Sequence, residues 1–211
     1  MQDLFIHMKN QSVRMEDPFI HIEDPEPELV AMAEWVFNDN TLKNSDKFIY
    51  KYINIFPIIT MINKKDYDFL NKYRDGICRD ERVKYKLFLI TCAITDDIKM
   101  IDYFVDCLNI DVHKKDDSEW NGLMIACWKN KNLNIIKHLL EYYKINQNEV
   151  DFNGNDCLIN ACCTNNNLEI IKYLVEEKSM SLESINSYTD GNCLLEACGG
   201  TVGLDVIKYL I

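Results

Sequence analysis

Apolar and polar positions alternate along this chain in one pattern that is written four times. The four stretches are LITCAITDDIKMIDYF (89–104), LMIACWKNKNLNIIKHL (123–139), LINACCTNNNLEIIKYL (158–174) and LLEACGGTVGLDVIKYL (194–210). Aligned on Cys92, Cys127, Cys162 and Cys198, each has an aliphatic residue at +6 (Ile98, Leu133, Leu168, Leu204). A second follows at +9 (Ile101, Ile136, Ile171, Ile207), and a large apolar residue at +12 (Phe104, Leu139, Leu174, Leu210). Those intervals place the three side chains on one face of a helix. The anchors lie 35, 35 and 36 residues apart. A fixed period of this length predicts an all-α helical solenoid, because a unit so short cannot bury its own apolar face and must stack on its neighbours. Each unit predicts an inner helix ending at the small-residue pair, a tight turn, and an outer helix carrying the stripe. Asn130 and Asn165 fall in the turn, where asparagine's tolerance of left-handed backbone suits it to a reversal.

The units run over 81–211, approximately as 82–116, 117–151, 152–187 and 188–211, the last incomplete. Polar stretches separate them: HKKDDSEWNG (113–122), NQNEVDFNGNDC (146–157) and ESINSYTDGNC (183–193). Upstream, 1–28 reads as a poorly ordered acidic segment. Residues 29–80 read as helical but out of phase with the repeats, either a degenerate repeat acting as N-terminal cap or a separate helical module. A helix is expected to start at Asp24-Pro25, and a second to run from Ser45–Asp46 to Phe56, where Pro57 stops it. A third is KKDYDFLNKY, ended at Asp75-Gly76. At the other end, the repeat ending in Ile211 is expected to expose stripe residues such as Ile207 and Leu210. That expectation suggests a truncated frame or a self-associating face.

Charge and composition narrow the function. The net charge is −11, with 10 basic against 14 acidic residues in 1–80 and 13 against 20 in 81–211. No basic stripe is available to displace counterions from a phosphate backbone, so a nucleic-acid partner is not expected. The N-terminus lacks a signal peptide's apolar core, and the most apolar run, 48–62, is too short for a bilayer and carries Lys51 and Asn54. An intracellular, cytoplasmic protein with no membrane partner is the expectation. Nine cysteines occur without a CxxC motif, and the four at the anchor suit a small apolar side chain between packed helices, reduced and not bridged. The four histidines (His7, His21, His113, His138) are scattered, so no metal site is expected. Gly199-Gly200-Thr201-Val202-Gly203 reads as a loosened inter-helix turn rather than a phosphate cradle. Neither cofactor, small-molecule substrate nor enzymatic activity is indicated.

The third unit, Asp151-Phe-Asn-Gly154-Asn-Asp-Cys-Leu158-Ile-Asn-Ala161-Cys162, resembles the D-x-x-G-x-T-P-L-H-x-A-A phrase of ankyrin repeats. Its continuation, Leu168-Glu-Ile-Ile171-Lys-Tyr-Leu174-Val, is similar to that family's L-E-I-V-K-L-L-L. The Thr-Pro pair is replaced by Asn121-Gly122, Asp156-Cys157 and Asn192-Cys193, and the His by Met124, Ile159 and Leu195. The family's Thr–His hydrogen bond is therefore absent, while Asn or Asp remains able to cap the inner helix. The asparagine-rich wording resembles the repeats of giant-virus (mimivirus-type) ankyrin proteins. The resemblance covers roughly 60% of the chain.

It implies a non-enzymatic module that binds another protein, a host protein if the viral likeness holds, through loop tips and inner-helix ends. Carried over, the tips are Asp117, Ser118 and Trp120, then Phe152, Asn153 and Asn155, then Tyr188, Thr189 and Gly191. The inner-helix ends are Trp128 and Lys129, then Cys163 and Thr164. Large aromatics in solvated loops are costly unless they pack or bind, and acidic neighbours (Asp116, Asp117, Glu119, Asp151, Asp190) favour a basic or mixed-charge partner. The alternatives are a substrate adaptor that reaches a ubiquitin ligase through 1–80, and a self-associating or decayed fragment.

Overall fold

The computed structural model describes residues 57–78, 80–186 and 190–211, and the helices expected upstream of 57 lie outside them. Residues 57–63, the first described, are helical (α1). α2 (Tyr67–Lys72) and α3 (Arg74–Ile77) follow. The four repeats are then helix pairs. Repeat 1 is α4 (Glu81–Ile94) with α5 (Ile98–Asp102), and repeat 2 is α6 (Gly122–Lys129) with α7 (Leu133–Lys137). Repeat 3 is α8 (Cys157–Thr164) with α9 (Leu168–Lys172), and repeat 4 is α10 (Cys193–Gly199) with α11 (Leu204–Leu210). Successive inner helices pack directly, α4 on α6, α6 on α8 and α8 on α10, which is the stacking of an ankyrin-type solenoid.

Each inner helix opens on a side-chain cap. Asp80 accepts from the amides of Arg82 (2.9 Å) and Val83 (3.1 Å), Asn121 from Met124 (3.0 Å), Asp156 from Ile159 (2.9 Å) and Asn192 from Leu195 (3.0 Å). These satisfy donors that the helix itself leaves unpaired. The outer helices start the same way on Asp97, Asn132 and Asn167. In the first three repeats they end by widening. Leu108, Tyr143 and Lys178 donate to carbonyls five residues back, and Asn109, Lys144 and Ser179 then turn left-handed (φ 54°, 56° and 55°). The amides of Ile110, Ile145 and Met180 reach back six residues, and their side chains are buried as a plug under the helix end.

Packing sharpens the expected stripe. The +9 and +12 residues of repeats 1–3 are fully buried, whereas +6 is only half-buried. The +8 residues Met100, Ile135, Ile170 and Val206 are fully buried in all four repeats, and the sequence pattern passed over them.

The turns overturn one expectation. Asn130 (φ −75°, ψ 134°) and Asn165 (φ −81°, ψ 115°) are extended, not left-handed. Their side chains are the reason for asparagine. The Asn165 amide donates to the carbonyls of Cys127 and Asn130 in the preceding repeat, both at 2.8 Å, while its oxygen accepts from Asn167 N–H. Asn130 does the same to Cys92 and Thr95, both at 2.8 Å, and accepts from Asn132. Only a side chain with both donors and an acceptor completes this three-way tie. A parallel tie runs through the next cap position, Asn132 to the Asp96 carbonyl and Asn167 to the Lys131 carbonyl.

Repeat 4 departs here. Thr201 replaces the asparagine, and its backbone N–H bonds the Cys163 carbonyl (3.2 Å). Gly200 lies so close to that carbonyl that a Cβ would collide with it. The glycine turn is thus a close approach and not a loosened one.

Candidate functional site

The loops between repeats fold into compact tips, and local chemistry explains why. In the first, one oxygen of Asp116 accepts from the amides of Ser118 and Trp120, both at 2.9 Å. In the second, Asp151 accepts from Asn153 (2.8 Å) and Asn155 (3.0 Å). Aspartate suits this turn because its short side chain replaces the missing backbone acceptor. Burial pushes the Asp116 carboxyl up from its ordinary range, opposed by the two amides it accepts from. Glu119, Gly154 and Asp190 take the left-handed position of the three tips (φ 61°, 80° and 52°). Each tip closes by a backbone bond, from Asp116 to the Trp120 carbonyl, Asp151 to Asn155 and Asn186 to Gly191.

The tips are tied into a row. Phe152 N–H donates to the Ser118 carbonyl (3.2 Å), and the Lys115 ammonium reaches the Val150 carbonyl (2.9 Å) and the carboxylates of Glu119 (3.3 Å) and Glu149 (3.8 Å). Glu149 also accepts from Asn121 (3.0 Å), and Asn186 donates to the Asn155 side-chain oxygen. Arg82 pairs with Asp117 across the first tip.

This row sorts the expected recognition residues. Asp117, Ser118 and Asn153 are exposed, and Phe152 is 62% exposed. Trp120 is a correction: it is 7% exposed, part of the core, with its ring 5.6 Å from that of Trp128. Tip aromatics lose less by packing on the inner helix than by standing in water, and Trp128 is placed to receive this one. Trp128 is half-buried, with the Lys129 ammonium 4.1 Å above its ring. Asn155 is half-buried and committed to Asp151 and Asn186. Gly191 is buried. Thr164 donates to the Trp128 carbonyl (2.8 Å), and the Cys163 thiol lies 3.5 Å from Glu196. Tyr188 and Thr189 lie outside the described residues.

Two exposed residues were missed by the sequence reading. Val150 (44%) and Ile185 (60%) immediately precede the turn residues Asp151 and Asn186. An apolar residue at that position in two successive copies was the available signal.

Four of the inner-helix thiols are held away from the thiolate form. Burial pushes the Cys92 thiol up. Contact with Cys127, then burial, does the same to Cys157, and contact with Cys193 and burial raise Cys162. Cys163 is held at about 12 by burial and by the Glu196 carboxylate. A nucleophilic cysteine needs the opposite environment. Cys198, the fourth anchor, is exposed rather than packed. Among the described residues no group of three or more His, Cys, Asp or Glu is arranged to hold a metal, and no helix is long and apolar enough to cross a membrane.

Residues 123–211, spanning repeats 2 to 4, match the family model described as ankyrin repeats (3 copies). These units are ankyrin repeats. No curated protein matches the chain, so the likeness to giant-virus repeats rests on wording alone. Ankyrin repeats indicate a protein–protein interaction module, a scaffold and not a catalytic fold. The helix pair α4–α5 lies outside the matched range, yet it stacks on ankyrin repeat 2 in the same register: a Cβ on Gly122 would press on Phe88 and the Cys92 sulfur, where Cys157 meets Cys127 and Cys193 meets Cys162.

Proposed function

We propose that the ankyrin repeats bind a partner protein through the row of loop tips, with Phe152 as the central anchor. The observation that carries this reading is the exposed Phe152 ring on a backbone held in place by the Ser118 carbonyl and the Asp151 turn. A pre-ordered aromatic loses little conformational entropy on contact, which is what makes such residues hot spots. Val150 and Ile185 extend the apolar surface. Asp117, Ser118 and Asn153 form its polar rim. The acidic residues Asp117, Glu119, Glu183 and Asp190 select a partner segment of basic or mixed charge. Trp120 and Trp128 support the tips from beneath.

The test is capture from a eukaryotic cytosolic lysate with the intact chain and with Phe152→Ala, read by mass spectrometry. Proteins held by the first bait should fall about tenfold or more on the second, the scale of losing one hot-spot aromatic. Unfolding midpoints of the two baits should coincide within about 0.5 kcal/mol, as for a surface change. Undiminished recovery by a folded Phe152→Ala chain would overturn the assignment.

A further inference from the structure

The chain contains Asn-Gly twice, as Asn121-Gly122 and Asn153-Gly154, and the structure places the two in opposite environments. Asn121 is fully buried at the start of α6. Its oxygen accepts from Met124 N–H and its amide donates to Glu149, both at 3.0 Å, so the side chain is held from both ends. Asn153 sits exposed at the second tip, where only its backbone N–H is engaged, to Asp151. Among the described residues its side-chain amide has no hydrogen-bond partner. Gly154 follows with φ 80°, a conformation glycine adopts without strain, and it has no side chain to shield its own nitrogen.

We infer that Asn153 is a site of spontaneous, non-enzymatic deamidation, and that the chemically identical pair at Asn121 is protected by the fold. In this reaction the Gly154 backbone nitrogen, giving up its proton to solvent, bonds to the side-chain carbonyl carbon of Asn153. The carbon–nitrogen bond of the amide breaks, and its nitrogen leaves as ammonia. Water then opens the resulting succinimide at either carbonyl, leaving aspartate or isoaspartate. The balance is one amide and one water in, one carboxylic acid and one ammonia out, with no oxidant or cofactor. Asparagine is among the thermally labile residues for this reason. The tip turn must release the Gly154 N–H from the Asp151 carbonyl (2.9 Å), an opening confined to a surface loop. At Asn121 the helix start and two side-chain bonds must open together, which is far rarer. The product adds a negative charge beside Phe152, on a tip row that is already acidic.

The test ages the intact chain at physiological temperature and mildly alkaline pH, with a parallel sample in concentrated urea, and follows both sites by peptide mass spectrometry. In the folded chain the peptide holding Asn153 should gain the mass of an amide-to-acid conversion and split into two chromatographic species. It should do so more than about tenfold faster than the Asn121 peptide, whose reaction waits on helix opening. In urea the two sites should react at similar rates. Asn153→Gln should abolish the gain in that peptide, separating it from the neighbouring Asn148 and Asn155. The inference is overturned if Asn153 stays intact in the folded chain while the urea sample converts, or if both sites react equally fast when folded.

Discussion

Repeats 3 and 4 share one phrase and nearly one backbone, yet the same positions meet different surroundings in each. Ile159 and Leu195 occupy equivalent places on the inner helix, but the first is 1% exposed and the second 60%. Cys162 is buried and Cys198 exposed, and the +9 and +12 residues pass from fully buried Ile171 and Leu174 to half-buried Ile207 and Leu210. Other positions do not change. Cys193, Ala197 and Val206 are as buried in repeat 4 as their counterparts are in repeat 3. The repeat therefore has two packing faces. One presses on the preceding unit and is complete in both. The other needs a following unit, and no described residue packs on that side of repeat 4. The turn differs too, since the Asn165 side chain binds two carbonyls of repeat 2, whereas Thr201 engages repeat 3 through its backbone alone. An ankyrin sequence thus specifies a surface twice over, and which half contributes stability depends on the neighbour.

The largest test of this contrast is truncation of the equivalent aliphatics. Ile159→Ala should cost about 2–5 kcal/mol in urea unfolding, the usual range for emptying a packed core site. Leu195→Ala should cost no more than about 0.5 kcal/mol, as expected of an exposed position. Equal losses would show that the far face of repeat 4 is covered in solution.

The turn gives the next effect. Asn165→Ala strands the buried carbonyls of Cys127 and Asn130 and removes the acceptor for Asn167 N–H. It should cost about 1–3 kcal/mol, the penalty of leaving buried polar groups unpaired. Thr201→Ala leaves its backbone bond intact and should fall within about 0.5 kcal/mol of the parent. If the two variants unfold alike, the asparagine ties do not set the stability of the turns.

The subtlest effect compares the caps, Asp156 in repeat 3 against Asn192 in repeat 4. Burial is the main cause raising the Asp156 carboxyl above its ordinary value, so the folded state holds a proton more readily than the unfolded one. Stability from this group is then lost as pH rises from the ordinary carboxylate value through the raised folded one. Asp156→Asn keeps the acceptor for Ile159 N–H and carries no charge. It should therefore unfold at a higher urea concentration than the parent at neutral pH, and the advantage should vanish in acid, where both are neutral. An advantage that persists in acid would place its origin elsewhere than in charge.

Much of the ankyrin architecture was legible along the chain. The period, the inner and outer helices, the Asn or Asp caps and the +9 and +12 core depend on spacings within a single unit, and short-range geometry alone enforces them. The +8 core position escaped notice because Met, Ile and Val there sit next to the +9 residue and blur into one apolar doublet. The loop tips were placed by resemblance, but their exposure was not readable. Trp120 and Phe152 both look like solvated aromatics, and only the fold lays one on Trp128 and leaves the other 62% exposed. The turn asparagines suggest backbone tolerance along the sequence, whereas their side chains reach across to the preceding repeat. What the sequence determined by itself was the repeating unit, since its helices follow from contacts a few residues apart. The tertiary structure decided which copies of a residue are covered, tied or free to react, as with Asn121 and Asn153. At Asn121 the second tie comes from Glu149, 28 residues on, and local spacing carries no record of it.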